Sequence, residues 1–68
     1  MTQGSVKFYN ADKWFGFIIY EGEQGEQQIF FHISKCTEWY TPNQWDQVTF
    51  QIGAGRDGRP AAEQIQPL

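Results

Sequence analysis

The sequence predicts an all-β fold, a small five-stranded antiparallel barrel, from three observations. Several short runs rich in aromatic and β-branched residues alternate apolar and polar side chains with a period of two. Clusters of Gly, Asn, Asp and Pro separate those runs. No stretch shows the 3.6-residue period of an amphipathic helix. Because 68 residues leave room for one small core, residues 1–68 are predicted to form a single domain.

The five predicted strands follow one another along the chain with polar turns between them. The first three form a meander with turns at residues 10–12 and 21–25, and a turn at 56–59 precedes the last strand. The irregular stretch at 37–45 contains Pro and Asn, which favour turns. The strands are predicted at Ser5–Asn10, Phe15–Tyr20, Gln28–Ser34, Val48–Ile52 and Ala61–Ile65. This pattern indicates a partly open barrel of the oligonucleotide-binding type.

The second and third strands carry aromatic rings on a face where a core does not need them. Side chains alternate across a strand, so the aliphatic residues share one face and most of the rings share the other. The aliphatic face is the natural core side, and it is predicted to hold Gly16, Ile18, Ile29, Phe31 and Ile33. The solvent side is then predicted to present Phe15, Phe17, Phe30 and His32. Clustered exposed rings usually mark a binding surface.

In the fourth strand the same alternation places Val48, Phe50 and Ile52 on the core face.

Two lysines, Lys7 and Lys13, flank the ring-bearing strands and give that surface a local positive charge. Planar rings stack on bases and cations contact phosphates, which is the chemistry that a single-stranded nucleic acid uses. The net charge of −3 lacks the basic excess usual in such proteins. The acids Glu21, Glu23 and Glu26 crowd one turn, however, and exposed charges more than about 8 Å apart are largely screened. Affinity is therefore expected to rest more on stacking than on counterion release.

The composition argues against several other classes of protein. Cys36 is the only cysteine and zinc-ligand spacing is absent, so a reducing, cytoplasmic compartment is expected. No run approaches the ~20 apolar residues of a membrane helix, so no membrane association is expected. His32 has no second His and no carboxylate cluster to assist it. No enzyme activity, catalytic residue, metal or cofactor is therefore expected.

Three runs of this chain resemble the motifs of the cold-shock domain family, and the similarity covers nearly the whole chain. They are Gly4–Asn10 (GSVKFYN), Lys13–Ile18 (KWFGFI) and Ile29–Ser34 (IFFHIS). The resemblance implies an OB-fold barrel that binds single-stranded RNA and DNA with low sequence specificity and acts as a passive RNA chaperone. Positions that match ligand contacts of the family are Lys7, Phe8, Asn10, Lys13, Phe15, Phe17, Phe30, His32 and, by counting, Trp39.

Some positions depart from the family pattern. Phe8 stands where the family often has Trp, so the stacking area there is smaller. Trp14 replaces an expected glycine, and it either adds a stacking platform or constrains a position that tolerates unusual backbone dihedrals. Ile33 replaces an aromatic residue, and Trp45 stands near another expected glycine.

Arg56 is predicted to be a turn residue with occasional contact to the nucleic-acid backbone.

Two other interpretations of the ring-bearing face stay open. Core packing of Phe15, Phe17 and Phe30 would turn the aliphatic residues outward, and so small a chain cannot bury both faces of the sheet. Alternatively, the rings serve a protein-interaction or homodimerisation module, although a monomer is the expectation. For Trp39, ligand contact and a capping role on the barrel are equally compatible with the sequence.

Overall fold

The computed structural model describes residues 2–55 and 58–68, and their regular structure is β-strand apart from one short 3-10 helix. The helix covers Ile33–Lys35. The strands are β1 (Thr2–Asn10), β2 (Phe15–Gly22), β3 (Gly25–His32), β4 (Gln47–Ala54) and β5 (Pro60–Pro67). All five predicted strands are present, each longer than predicted, and the all-β prediction is confirmed.

The strands close into a barrel in the order β1-β2-β3-β5-β4. β1 pairs antiparallel with β4 from Thr2 opposite Phe50 onward, which joins the two ends of the sheet. β3 meets β5 in parallel, with Phe30 opposite Ala61. The five-stranded OB-fold prediction is confirmed, and the barrel is closed instead of partly open.

The core lies inside the barrel and is made of apolar side chains from all five strands. Its buried residues are Val6, Ile18, Ile29, Phe31, Val48, Phe50, Ala62 and Ile65. Two tyrosines pack at its edge: Tyr9 stacks on Phe31 with centroids 6.1 Å apart, and Tyr20 meets Phe50 edge-to-face at 5.5 Å. The predicted core face of the second and third strands is therefore confirmed through Phe31.

Two core predictions and one turn are corrected by the structure. Ile33 is half-buried in the 3-10 helix, because β3 ends at His32, two residues earlier than predicted. Ile52 is 50% exposed, because it lies at the rim of the barrel beside Tyr20 and the β2–β3 hairpin. That hairpin needs only two turn residues between the paired Gly22 and Gly25.

Candidate functional site

Four phenylalanine rings form one contiguous surface on the outer face of β1, β2 and β3, and we call Phe8, Phe15, Phe17 and Phe30 the ring cluster. Phe15 stacks on Phe30 with centroids 5.6 Å apart and planes 28° apart. Phe17 meets Phe30 edge-to-face at 5.9 Å, and Phe8 lies 5.6 Å from Phe17. Phe8 and Phe30 are 38% and 39% exposed, while the other two are half-buried. Since all four lie outside the buried core, the core-packing interpretation is wrong.

A β-bulge in β1 turns Phe8 onto this outer face. Strict alternation from the buried Val6 would point Phe8 inward. The register with β2 shifts between Val6 and Phe8, so Lys7 is the extra residue of the bulge. Phe8 then lies opposite Phe17, and Tyr9 turns inward toward the core. The bulge therefore places Lys7 next to the ring cluster.

Gly16 lets β1 and β2 approach closely beneath the rings. A Cβ atom at this position would collide with the backbone oxygen of Phe8 and lie 2.9 Å from the ring of Phe31. The inward-facing position between Phe15 and Phe17 therefore has no space for a side chain. The close approach of β1 and β2 holds the rings of the two strands against one another.

The turn between β1 and β2 is organised by Asn10. Its Oδ1 accepts hydrogen bonds from the backbone N–H groups of Asp12 at 3.0 Å and Lys13 at 3.3 Å. Its backbone oxygen accepts from the N–H of Trp14 at 2.8 Å. Lys13 is exposed at this turn, immediately before Trp14. The side-chain oxygen of Asn10 is thus used to shape the turn.

Trp14 has an unusual backbone conformation and an exposed side chain. Its φ is 63°, in the left-handed region that favours glycine, and such a conformation costs a bulky residue about 1–3 kcal/mol. Its carbonyl oxygen accepts a hydrogen bond from the N–H of Ile33 at 2.9 Å, which ties the turn to the end of β3. Its ring is 57% exposed. The strained backbone therefore carries an indole that is open to solvent next to Phe15.

His32 extends the row of exposed rings at the end of β3, where it pairs with Phe15. Its Nδ1 accepts a hydrogen bond from the backbone N–H of Ser34 at 3.1 Å and lies 2.9 Å from the Ser34 hydroxyl. With Nδ1 as acceptor, the neutral ring carries its proton on Nε2. The imidazole is thereby held in place by the helix that follows it.

Two open grooves flank Phe30 along the seam between β3 and β5. One is lined by Phe17 and Arg59 among others, and the second runs past His32 and Lys35. Sequence reasoning did not include Lys35 among the candidate residues, although a cation three positions after His32 was a usable signal. The grooves extend the candidate surface from β3 onto β5.

Trp39 and Trp45 lie in the segment between the 3-10 helix and β4. Trp39 is 75% exposed and meets Tyr40 edge-to-face at 6.4 Å, outside the ring cluster. Trp45 has a φ of 70° and donates its N–H to the carbonyl of Val6 at 2.7 Å. This indole is also exposed. The structure therefore does not join either tryptophan to the ring cluster.

A hydrogen bond between Tyr40 and Asp46 braces this segment. The Tyr40 hydroxyl donates to Oδ2 of Asp46 at 2.8 Å, and the same oxygen accepts from the N–H of Asn43 at 3.1 Å. Burial, this hydrogen bond and the carboxylate charge raise the pKa of Tyr40 above its usual range. The phenol therefore stays protonated and donating at physiological pH.

The charges around the site are unevenly distributed. Lys7 is half-buried at the bulge and Lys13 exposed at the turn beside Asp12, whereas three of the acids, Glu21, Glu23 and Glu26, lie on the β2–β3 hairpin. Phe15 begins β2 and Glu21 lies six residues further along the strand, about 20 Å away at ~3.3 Å per residue. That separation exceeds the screening length at physiological salt. Arg56, the remaining predicted site residue, lies outside the described residues.

Three further observations concern metal ligands, the thiol of Cys36 and membrane-spanning helices. Within residues 2–55 and 58–68, no group of three His, Cys, Asp or Glu side chains could hold a metal ion. Burial raises the pKa of Cys36 to about 11, so its thiol stays protonated at neutral pH. Over the same residues, no helix has the length and apolar character needed to cross a membrane.

Comparison with known proteins finds one family and several relatives. A family model described as the 'Cold-shock' DNA-binding domain matches residues 2–68. Cold shock protein ScoF of Streptomyces coelicolor is 42% identical over 69 residues, covering 98% of each chain. Cold shock-like protein CspG of Escherichia coli K12 is 39% identical, covering 96% of this chain and 91% of the relative. Cold shock protein CspA of Staphylococcus saprophyticus is 35% identical, covering 97% and 98%.

Proposed function

Because the chain belongs to the cold-shock DNA-binding domain family, we propose that it binds single-stranded RNA and DNA by stacking bases on the ring cluster. Nucleic-acid binding itself follows from the family. The observation that carries the single-stranded mode is the contiguous row of solvent-facing rings on β1, β2 and β3. Only unpaired bases can lay their faces on such a row, because the faces of bases in a duplex are already stacked.

The side chains of the proposed surface have two different roles, base stacking and phosphate contact. Phe8, Phe15, Phe17, Phe30 and His32 offer ring faces to the bases, and Lys7 and Lys13 contact phosphates. Trp14 adds a platform beside Phe15. Stacking contributes about 1–3 kcal/mol per base, so three or four occupied platforms give a gross stacking free energy of about 3–12 kcal/mol. Dissociation constants between micromolar and high nanomolar are expected for a strand of six or seven nucleotides.

Low sequence specificity is expected, because every base has a π-face and stacking alone discriminates weakly. A protein that binds open strands and not hairpins shifts the hairpin equilibrium toward the open form by mass action. It needs no nucleotide hydrolysis to do so. The proposed biological role is therefore that of a passive RNA chaperone, without enzymatic activity, cofactor or metal.

A titration with heptathymidine tests the proposal. Binding should be followed by a method that does not depend on tryptophan emission, such as calorimetry or fluorescence anisotropy of a labelled strand, because the ring cluster consists of phenylalanines. A fully base-paired DNA duplex is the control. Micromolar or tighter binding of the single strand, with far weaker binding of the duplex, supports the proposal. Equal binding of both would contradict it.

A homodimerisation or protein-interaction module is the second candidate, favoured by the exposure of Trp14, Trp39 and Trp45. We expect instead a cytoplasmic monomer in which residues 1–68 act as one domain. Sedimentation over a hundredfold concentration range separates the two candidates. A mass that rises with concentration and falls when heptathymidine is added would favour association through the ring cluster.

A further inference from the structure

Glu63 lies on β5, the strand next to the proposed base-stacking row, and stacking does not account for its carboxylate. β3 and β5 run parallel, with Phe30 opposite Ala61. Two residues further along each strand are His32 and Glu63, which lie on the outer side because the residue between Ala61 and Glu63 is buried. The parallel arrangement therefore sets Glu63 alongside His32 on the outer face of the barrel.

Glycine at position 53 makes room for this carboxylate on the neighbouring strand. Glu63 pairs with Gln51 on β4, and its side chain lies over Gly53. A Cβ atom at Gly53 would lie 2.5 to 2.7 Å from the Cδ and both carboxyl oxygens of Glu63. The position of the carboxylate thus depends on the missing side chain at Gly53.

The same glutamate lines the groove that passes Phe30, His32 and Lys35. The groove has a volume of about 690 Å³, enough for a base next to the ring on which it stacks. An acid in a surface that binds a polyanion weakens binding wherever it faces phosphates. Where it faces the edge of a base, it instead accepts hydrogen bonds from the base.

We propose that Glu63 reads the edge of the base that stacks on Phe30 or His32, and that it selects guanine there; this rests on the proposed single-strand binding. An ionised carboxylate only accepts hydrogen bonds. Guanine presents two parallel donors on one edge, N1–H and the N2 amino group, which match the two carboxylate oxygens. The corresponding edges of the other bases place a donor next to acceptors, which repel the second oxygen. The chain is then a low-specificity binder with one selective subsite.

The subsite can be located with heptathymidine strands in which a single guanine is moved through the seven positions. At one position we expect guanine to bind about fivefold to tenfold tighter than thymine, the low end for a two-bond base contact. Hypoxanthine at that position lacks the N2 amino group and should lose most of the gain. Adenine there should show none of it.

Two variants and a control test the role of Glu63 itself. E63A removes the carboxylate. G53A keeps the carboxylate but displaces it from its position over residue 53 of β4. Both should abolish the guanine preference while heptathymidine still binds. E26A removes a charge of the same sign from the β2–β3 hairpin, and it should retain the preference. Thermal unfolding of each variant verifies that the barrel is intact.

The outcomes separate this inference from the proposed function. Binding of every heptamer without positional preference, or a preference that persists in E63A, overturns the guanine subsite and leaves stacking in place. Failure of all heptamers to bind overturns the proposed function and the subsite with it. Loss of the preference in E63A and G53A but not in E26A is the result that the structure predicts.

Discussion

The exposed rings of this protein fall into two regions that are built differently. The four phenylalanines of the ring cluster stand on regular strands, touch one another and are at most 39% exposed. The three exposed tryptophans stand at turns and irregular segments, are 57% exposed or more, and two of them have a positive φ. A ring held by its neighbours loses little freedom when a base covers it. We therefore expect the phenylalanines to carry most of the affinity and the tryptophans to modulate it.

Removing two rings from the ring cluster is the strongest test of this difference. F17A combined with F30A deletes two platforms worth about 1–3 kcal/mol each, so heptathymidine affinity should fall by well over tenfold. Calorimetry measures the loss, and circular dichroism should show a preserved barrel, since neither ring belongs to the buried core. I52A, which truncates a half-exposed residue at the opposite rim, is the matched control and should bind normally. Unfolding of the double variant would mean that these rings support the fold itself.

The support beneath the ring cluster gives the next largest effect. G16A forces a Cβ atom against the Phe8 backbone and the Phe31 ring, and overpacking of this kind costs about 1–3 kcal/mol of folding free energy. Urea unfolding measures it. G53A is the control, because the three atoms nearest to its Cβ all belong to the movable end of Glu63. This variant should change stability by less than about 0.5 kcal/mol. Equal stabilities of the two variants would show that β1 can move away from β2 without cost.

The tryptophans with positive φ provide a pair of matched substitutions. W14G and W45G should each raise the unfolding free energy by about 1 kcal/mol, because glycine adopts a positive φ without strain. Only W14G should weaken heptathymidine binding, by a few-fold, since Trp14 adjoins Phe15 and Trp45 does not contact the ring cluster. Thermal unfolding and calorimetry on the same samples give both quantities. If both variants bind as tightly as the parent protein, Trp14 is a structural feature of the turn alone.

Salt dependence should show the smallest effect. With two or three phosphate contacts, the logarithm of the binding constant should change with that of the salt concentration with a slope of about −2, or −0.7 per contact. K13A should make the slope shallower by about 0.7. K35A tests whether the cation beside the second groove makes a contact of the same kind. A slope several times steeper would mean that charge, and not stacking, carries the affinity.

Period-two alternation was sufficient to predict the ring-bearing face of β2 and β3. Both strands are regular, so the buried Ile18 and Phe31 fix the opposite orientation for Phe17 and Phe30. The same rule points Phe8 inward, and a bulge at Lys7 reverses that orientation. Phe8 was included among the candidate site residues only because its position matches a ligand contact of the cold-shock domain family. A match of positions includes the effect of the bulge, even though the sequence pattern does not reveal the bulge.

Features that depend on contacts between distant residues could not be predicted from the sequence. The parallel pairing of β3 and β5 brings Phe30 next to Ala61, and the sequence of neither strand indicates this pairing. Ile52 follows the apolar alternation of β4, yet it lies beyond the buried core, at the rim of the barrel. The relation between Gly53 and Glu63 likewise becomes visible only when β4 and β5 are paired.

The order of the strands in the barrel also affects when the ring cluster forms during folding. The ring cluster is built entirely from β1, β2 and β3, which are consecutive and joined by short turns. Closure of the barrel waits for pairings distant in sequence, such as Thr2 with Phe50, and these form more slowly. In pulsed hydrogen exchange, we expect the backbone amides of β1, β2 and β3 to become protected before those of β4 and β5. An emerging chain would then hold most of its stacking surface while its last strand is still unpaired.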